Sequence, residues 1–156
     1  MKATRYALMI IFLLSSASAQ EKPDFSGLYL LNPPKVGKHE KASPRSYLRV
    51  TPTEKSLEAT FSEAGQARTA RYFLDGSPSE NITSGGFPSK DTARLKGKAL
   101  VIESIIPVRG TVLHMKEKWQ LSHDSQTLTI HSTSEGTSLG ITIDLPSADE
   151  VYSRQS

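Results

Sequence analysis

Residues 111–133, TVLHMKEKWQLSHDSQTLTIHST, consist of two alternating polar and apolar runs joined by a short polar segment. The joining residues, HDSQ at 123–126, are of types that favour a tight turn between antiparallel strands. We therefore predict a β-hairpin with Asp124 and Ser125 at the centre of its turn.

The turn fixes which residues of the hairpin lie opposite each other. Leu121 is expected opposite Leu128, and Trp119 opposite Ile130, which places both pairs on one buried face. The other face is expected to be exposed to solvent, because it holds the polar residues His114, Lys116, Lys118, Gln120, Thr129 and His131.

The rest of the chain favours further short strands. Segments rich in Val, Ile, Thr, Tyr and Phe alternate with Gly, Pro, Asp and Ser, and no window shows a sustained helical period. We predict an all-β fold, an antiparallel up-and-down β-barrel or a barrel-like sandwich of about 8–10 short strands. The predicted strands are residues 25–31, 46–50, 56–63, 67–74, 91–96, 99–108, 112–121, 127–133, 138–145 and 150–154.

A second hairpin is predicted around Gly97, which can adopt a positive φ. We expect Ala93 to lie opposite Leu100. The strand that follows, residues 99–108, is apolar on both faces and is expected to be central or covered on both sides.

Two stretches, residues 32–45 and 76–90, are rich in Pro, Gly, Lys and Ser and are long for hairpin connections. They are either plain solvated loops or mobile rims over a site. The sequence leaves both interpretations open.

The N-terminus indicates export. Lys2 and Arg5 precede a nine-residue apolar run, and Ala-Ser-Ala at 17–19 has the form of a cleavage site. The run is shorter than the roughly 20 residues needed to cross a bilayer as a helix. We therefore predict a signal peptide at 1–19 and a single barrel domain at 20–156, secreted or periplasmic, with no transmembrane segment after cleavage.

Composition excludes several classes of function. The formal net charge is +3, of which Lys2 and Arg5 contribute two charges, so the net charge of the mature chain gives no electrostatic case for nucleic-acid binding. The chain has no cysteine, which excludes disulfides and thiolate sites. The spacing of His39, His114, His123 and His131 does not fit a metal site. We predict no metal and no cofactor.

No motif for catalysis is present. No serine lies in a Gly-x-Ser-x-Gly turn, and Gly85-Gly86 lacks the lysine of a phosphate-binding loop. We therefore assign no catalytic residue and favour a non-enzymatic role, with a hydrolase as a third alternative.

Glu117 is the most informative polar residue. Strict alternation places its carboxylate on the same face as Leu113, Met115, Trp119 and Leu121. A functional interpretation makes it a polar anchor in a ligand cavity or a group with a raised pKa. A structural interpretation pairs it with an arginine such as Arg71, or turns it outward at a bulge.

Three segments of the chain resemble lipocalin-like β-barrel domains of secreted bacterial proteins. DFSGLYLLN at 24–32 resembles the opening strand of that family, usually Phe-x-Gly-x-Trp before an Asn-Pro turn. EKWQLSHDSQTLTI at 117–130 is similar to the late hairpin, and VYSR at 151–154 to the closing strand.

The resemblance implies that an arginine of the last strand covers the aromatic residue of the first, here Arg154 and Tyr29, and closes one end of the barrel. The resemblance implies a fold more than a function, and as the leading function we predict non-catalytic binding of a small apolar or amphipathic molecule in the interior. The rival interpretation is a solid-core structural or protein-interaction module of the cell envelope, with an unknown protein partner. The proposed lining residues are Tyr29, Phe61, Phe73, Met115, Glu117 and Trp119.

Overall fold

The computed structural model describes residues 22–32, 46–63 and 65–156. Within these ranges the chain forms ten strands and no helix, which confirms the predicted all-β class. The predicted signal peptide, His39 and residues 33–45 of the first predicted loop lie outside the described residues. The strands are β1 (Gly27–Leu31), β2 (Tyr47–Pro52), β3 (Ser56–Glu63), β4 (Gln66–Phe73), β5 (Ser79–Ile82), β6 (Pro88–Lys96), β7 (Ala99–Val108), β8 (Thr111–Leu121), β9 (Thr127–Ser138) and β10 (Ile141–Arg154).

The strands form one antiparallel sheet in the order β4-β3-β2-β1-β10-β9-β8-β7-β6-β5. Except for β4 and β5, strands consecutive in the chain are neighbours in the sheet, and the pairing of β1 with β10 joins the first strand to the last. This is the order of an up-and-down barrel. No helix long and apolar enough to span a membrane occurs in the part of the chain described.

The two edge strands, β4 and β5, come together at a seam that a side chain bridges. The Asn81 Oδ1 on β5 accepts a hydrogen bond from the Arg71 backbone N at 2.8 Å, and its Nδ2 donates to the Arg71 carbonyl at 3.0 Å. One amide therefore supplies the donor and acceptor that a neighbouring peptide would supply in a continuous ladder. The barrel is nearly closed.

The late hairpin has the register predicted from its turn. Leu121 pairs with Leu128 and Trp119 with Ile130. Trp119, Leu128 and Ile130 are almost completely buried, and Leu121 packs against the same core. The positive φ of Ser125, 58°, places the turn where the sequence predicted it.

The second hairpin is shifted by two residues from its prediction. Ala93 pairs with Ile102, and Leu100 with Leu95, because the turn consists of Gly97 and Lys98 with Gly97 at φ 61°. The face assignment survives, since a shift of two residues keeps every side chain on its face. The prediction that β7 is central or covered on both sides is confirmed in its first form, because β7 lies between β6 and β8. It is not covered on both sides, because Ile105 is 46% exposed.

Two other predictions need correction. Residues 76–90 are not a single loop, because they contain β5. In this strand Ser79 pairs with Asp91 of β6, and Ile82 pairs with Pro88. Residues 138–145 and 150–154 are not separate strands, because β10 runs through both with an irregularity between Leu145 and Ala148. A bulge of this kind bends a strand without ending it, so Pro146 is accommodated.

The apolar core fills one end of the barrel. Phe25, Tyr29 and Trp119 lie there, and the Trp119 ring meets Phe61 and Tyr72 edge to face at centroid distances of 6.1 and 6.2 Å. The rest of the interior is lined by a more polar set of side chains.

Candidate binding cavity

A cavity of about 460 Å³ lies inside the barrel, beyond the apolar core. This is within the usual range of about 300–1,000 Å³ for small-molecule sites. Its walls come from the inward-facing positions of most strands and from the β5–β6 turn. The apolar part includes Leu31, Phe61, Ala70, Ile106, Leu113, Met115 and Ile130.

Asp91 is the most deeply buried charged residue of the cavity wall, with 3% of its surface exposed. Its Oδ2 accepts hydrogen bonds from Asn81 Nδ2 at 2.7 Å and from Ser89 Oγ at 3.1 Å. Its Oδ1 is buried and has no hydrogen-bond partner among the described residues. A buried carboxylate oxygen without a donor is costly, so this atom is a natural acceptor for a ligand group.

Glu117 also faces the cavity, as strand alternation predicted. Trp119 Nε1 donates to Glu117 Oε2 at 2.9 Å. Burial raises the pKa of Glu117 because desolvation disfavours the charged form, and this outweighs the opposite effects of the Trp119 hydrogen bond and of Arg68.

The two structural interpretations of Glu117 were wrong. Arg71 points outward and forms an ion pair with Glu58 on the barrel surface. The pairing of β8 with both neighbours is continuous through Glu117, so no bulge turns the side chain away.

A third carboxylate, Glu150, lies on the β10 wall beside Tyr152. The Tyr152 hydroxyl donates to Glu150 Oε2 at 2.7 Å. Burial, and then the nearby charge of Glu150, raise the pKa of Tyr152, so the hydroxyl stays protonated and acts as a donor. Burial, and then the charge of Glu117, raise the pKa of Tyr72 in the same way.

Arg68 is the single basic residue of the cavity lining in the described part of the chain. Its guanidinium carbon lies 4.0 Å from the centroid of the Phe61 ring, a cation–π arrangement. No carboxylate of the described residues lies within ion-pair distance of it.

The predicted lining residues divide into three groups. Phe61, Met115 and Glu117 lie on the cavity wall. Tyr29 and Trp119 are fully buried in the adjacent core, so they pack behind the residues of the cavity wall and do not line the cavity. Phe73 is not a lining residue, because Tyr72 takes the inward position and the alternation of β4 turns Phe73 outward.

Tyr29 and Arg154, the residues proposed to close one end, are in direct contact. Arg154 Nη2 donates to the Tyr29 hydroxyl oxygen at 2.8 Å and to the Asp24 carbonyl at 2.9 Å. The guanidinium carbon lies 5.4 Å from the ring centroid. The Tyr29 hydroxyl donates in turn to the Phe25 carbonyl at 3.0 Å, which ties the first strand to the segment before it.

Sequence reasoning missed Asp91, Arg68 and Glu150. A usable signal existed for Asp91 and Arg68, since Asp91 alternates with Ala93 and Leu95, and Arg68 with Ala70 and Tyr72. The same signal existed for Glu150, which alternates with Tyr152 and Arg154 after the irregularity between Leu145 and Ala148.

A second depression, of about 540 Å³, lies outside the barrel on the β6–β10 surface. Most of its lining side chains occupy outward positions, among them Ile105, His114, Lys116 and Glu135. We call it the outer trough. His131 lies outward as well, paired with Asp149. Within the described ranges no group of three or more acidic or histidine side chains is placed to hold a metal ion.

Comparison with known proteins supports the fold alone. No protein-family model matches the sequence, and no curated protein matches it. A solved structure described as "REP1-NXSQ fatty acid transporter" has a TM-score of 0.58 at 12% identity, covering 84% of this chain and 96% of that chain. A secretary abundant heat soluble (SAHS) protein from Ramazzottius varieornatus has a TM-score of 0.57 at 11% identity, covering 87% and 98%.

These neighbours place the chain in a structural class. It is an antiparallel ten-stranded barrel with an interior cavity, consistent with the lipocalin-like architecture that the sequence resembled. At such low identity, the particular ligand is a matter for the chemistry of this cavity.

Proposed function

We propose that this protein is a non-catalytic carrier or sensor that binds a small apolar or amphipathic molecule inside the barrel. The observation that supports this most directly is the 460 Å³ cavity itself. A small barrel can fill its interior with its own side chains, and a solid-core module would do so. This barrel leaves space beside Met115, Ile106 and Phe61, with polar groups on the same walls.

The fatty acid transporter among the structural neighbours has a similar barrel, which adds support for a binding role. We further propose that the chain belongs with the lipocalin-like domains of exported bacterial proteins and acts in the periplasm or outside the cell. The N-terminal sequence supports export, and the intact mass of the exported protein tests it. A chain starting at Gln20 is expected, and recovery of full-length protein in the inner membrane would contradict it.

The binding role is tested with N-phenyl-1-naphthylamine, a neutral dye whose fluorescence rises in apolar surroundings. Ser132 faces the cavity, and its neighbour Thr133 faces the outer trough. Ser132→Phe is expected to reduce dye binding at least tenfold by filling the cavity, while the matched control Thr133→Phe leaves it unchanged.

Two other results would contradict either the location of the binding site or the binding function. Loss of binding in Thr133→Phe alone would move the site to the outer trough. No dye binding to the wild-type protein, together with no ligand retained in native mass spectrometry, would contradict the proposed function.

A protein-interaction module is the second candidate, and one surface favours it. At the far end of the β9–β10 hairpin, Leu139, Ile141 and Ile143 are 98%, 66% and 62% exposed. Exposed apolar groups in a row often mark contact surfaces. Replacing Ile141 and Ile143 by Ser, followed by sedimentation and crosslinking with the exported protein fraction, tests this role without touching the cavity.

A further inference from the structure

The charges of the cavity wall are unbalanced. Four carboxylates border it, those of the buried Asp91, the partly buried Glu117 and the exposed Glu63 and Glu150, against the one guanidinium of Arg68. No lysine side chain is part of this lining in the described residues. The interior therefore favours a positively charged ligand and disfavours any further negative charge.

The hydrogen-bonding groups show the same preference. Asp91 Oδ1 is buried on this wall without a donor, although the other oxygen of the same carboxylate has two. Each of two other carboxylates has a donor, since Trp119 Nε1 donates to Glu117 and the Tyr152 hydroxyl donates to Glu150. Among the described residues, Asp91 Oδ1 is the buried carboxylate oxygen of this wall that lacks a donor.

Arg68 does not reverse this balance. Arg68 lies on β4 and its guanidinium packs over Phe61 on β3, whereas Asp91 lies on β6 and Glu117 on β8. A ligand carboxylate placed beside Arg68 would still lie in a cavity with four acidic side chains. A ligand ammonium placed beside Asp91 would satisfy the orphaned oxygen and reduce the repulsion among the carboxylates.

We propose that the ligand of this cavity is a cationic amphiphile, an apolar chain with a primary or secondary amine that donates to Asp91 Oδ1. This inference rests on the proposed function and specifies its ligand class. The apolar chain lies against Met115, Ile106 and Phe61, and the ammonium group lies between Asp91 and Glu117. A fatty acid of the same length is the disfavoured partner.

The test uses three probes with one chain and different head groups: dodecylamine, dodecan-1-ol and dodecanoic acid, each below its aggregation concentration at pH 7. Displacement of N-phenyl-1-naphthylamine gives their affinities. We expect dodecylamine to bind at least tenfold more tightly than dodecanoic acid, with the alcohol between them.

Variants test whether the carboxylates of the cavity wall cause the preference for dodecylamine. Asp91→Asn is expected to weaken dodecylamine at least tenfold and to leave dodecan-1-ol within twofold. Glu80→Gln is the matched control, because Glu80 is an exposed carboxylate on β5 and its loss changes the net charge equally. If Asp91→Asn unfolds, Glu117→Gln is measured instead, with the same direction expected.

The outcomes separate the two levels of the proposal. Equal affinities for all three probes, or tighter binding of the acid that Arg68→Gln abolishes, would overturn the amine assignment and leave a binding protein. Failure of all three probes and of the dye would overturn both.

Discussion

Arg154 and Tyr29, which lie at opposite ends of the described chain, are joined by a hydrogen bond of 2.8 Å and by a guanidinium placed 5.4 Å from the ring centroid. The contact crosses the β1–β10 pairing, the ladder that connects the first described strand to the last. Tyr29 is fully buried, so the guanidinium covers the apolar end of the barrel.

Arg154→Ala is expected to lower the free energy of unfolding by about 1–3 kcal/mol, since it removes a charge-assisted hydrogen bond and a cation–π contact. Urea denaturation measures the loss. Arg49→Ala, at an exposed position of β2, is the control and is expected to change stability by less than about 0.5 kcal/mol. Equal losses in the two variants would show that the closing contact contributes nothing specific.

Trp119→Ala is expected to destabilise the protein by about 3–5 kcal/mol, because it empties the centre of a packed aromatic cluster. The ring is fully buried and meets Phe61 and Tyr72 edge to face. Trp119→Phe retains a ring but removes the donor to Glu117, so it separates packing from hydrogen bonding. A loss below about 1 kcal/mol for the alanine variant would be incompatible with the packing described here.

Glu117→Gln is expected to preserve the fold, because no arginine of the described residues forms an ion pair with that carboxylate. The raised pKa of Glu117 means that the folded protein holds the proton more tightly than the unfolded chain. The stabilisation from this group is therefore complete below the ordinary glutamate pKa and is lost as pH rises through the raised value.

The difference in unfolding free energy between Glu117→Gln and wild type should therefore move in favour of the variant as pH rises. Urea titrations at several pH values between 4 and 8 measure it. Glu150, Arg68 and Asp91 are the charged groups that act on Glu117, and both proteins contain them, so the difference between the two proteins removes their contribution to first order. A difference that is constant across this range would mean that Glu117 titrates normally.

Asn81→Ala is expected to loosen the β4–β5 seam locally, because it removes both hydrogen bonds to the Arg71 backbone and one donor to Asp91. Hydrogen exchange of the Arg71 amide should accelerate at least tenfold, with little change in β8 and β9. Glu80→Ala, one residue away and facing outward, is the control. Unchanged exchange at Arg71 would show that the seam does not depend on the amide.

Local pattern was informative where a turn was short and both flanking strands alternated. The β8–β9 register followed from the residues around Asp124 and Ser125, and the inward position of Glu117 followed from parity alone. The same reasoning placed the β6–β7 turn at Lys96-Gly97, one residue before its actual centre at Gly97-Lys98, and this displaces the strand pairing by two residues. The two dipeptides are equally acceptable turn centres on local chemistry. Tertiary pairing selected the second.

By itself the sequence determined the β-rich class, most strand positions and the buried face of the late hairpin, since these depend on alternation and turn chemistry between near neighbours. Only the tertiary structure decided that Asp91, Arg68, Glu117 and Glu150 share one cavity, that Asn81 bridges the seam, and that Phe73 faces outward. These relationships join strands distant in sequence, and closure of the sheet sets them through strand pairing and one irregularity in β10. No local window contains that information.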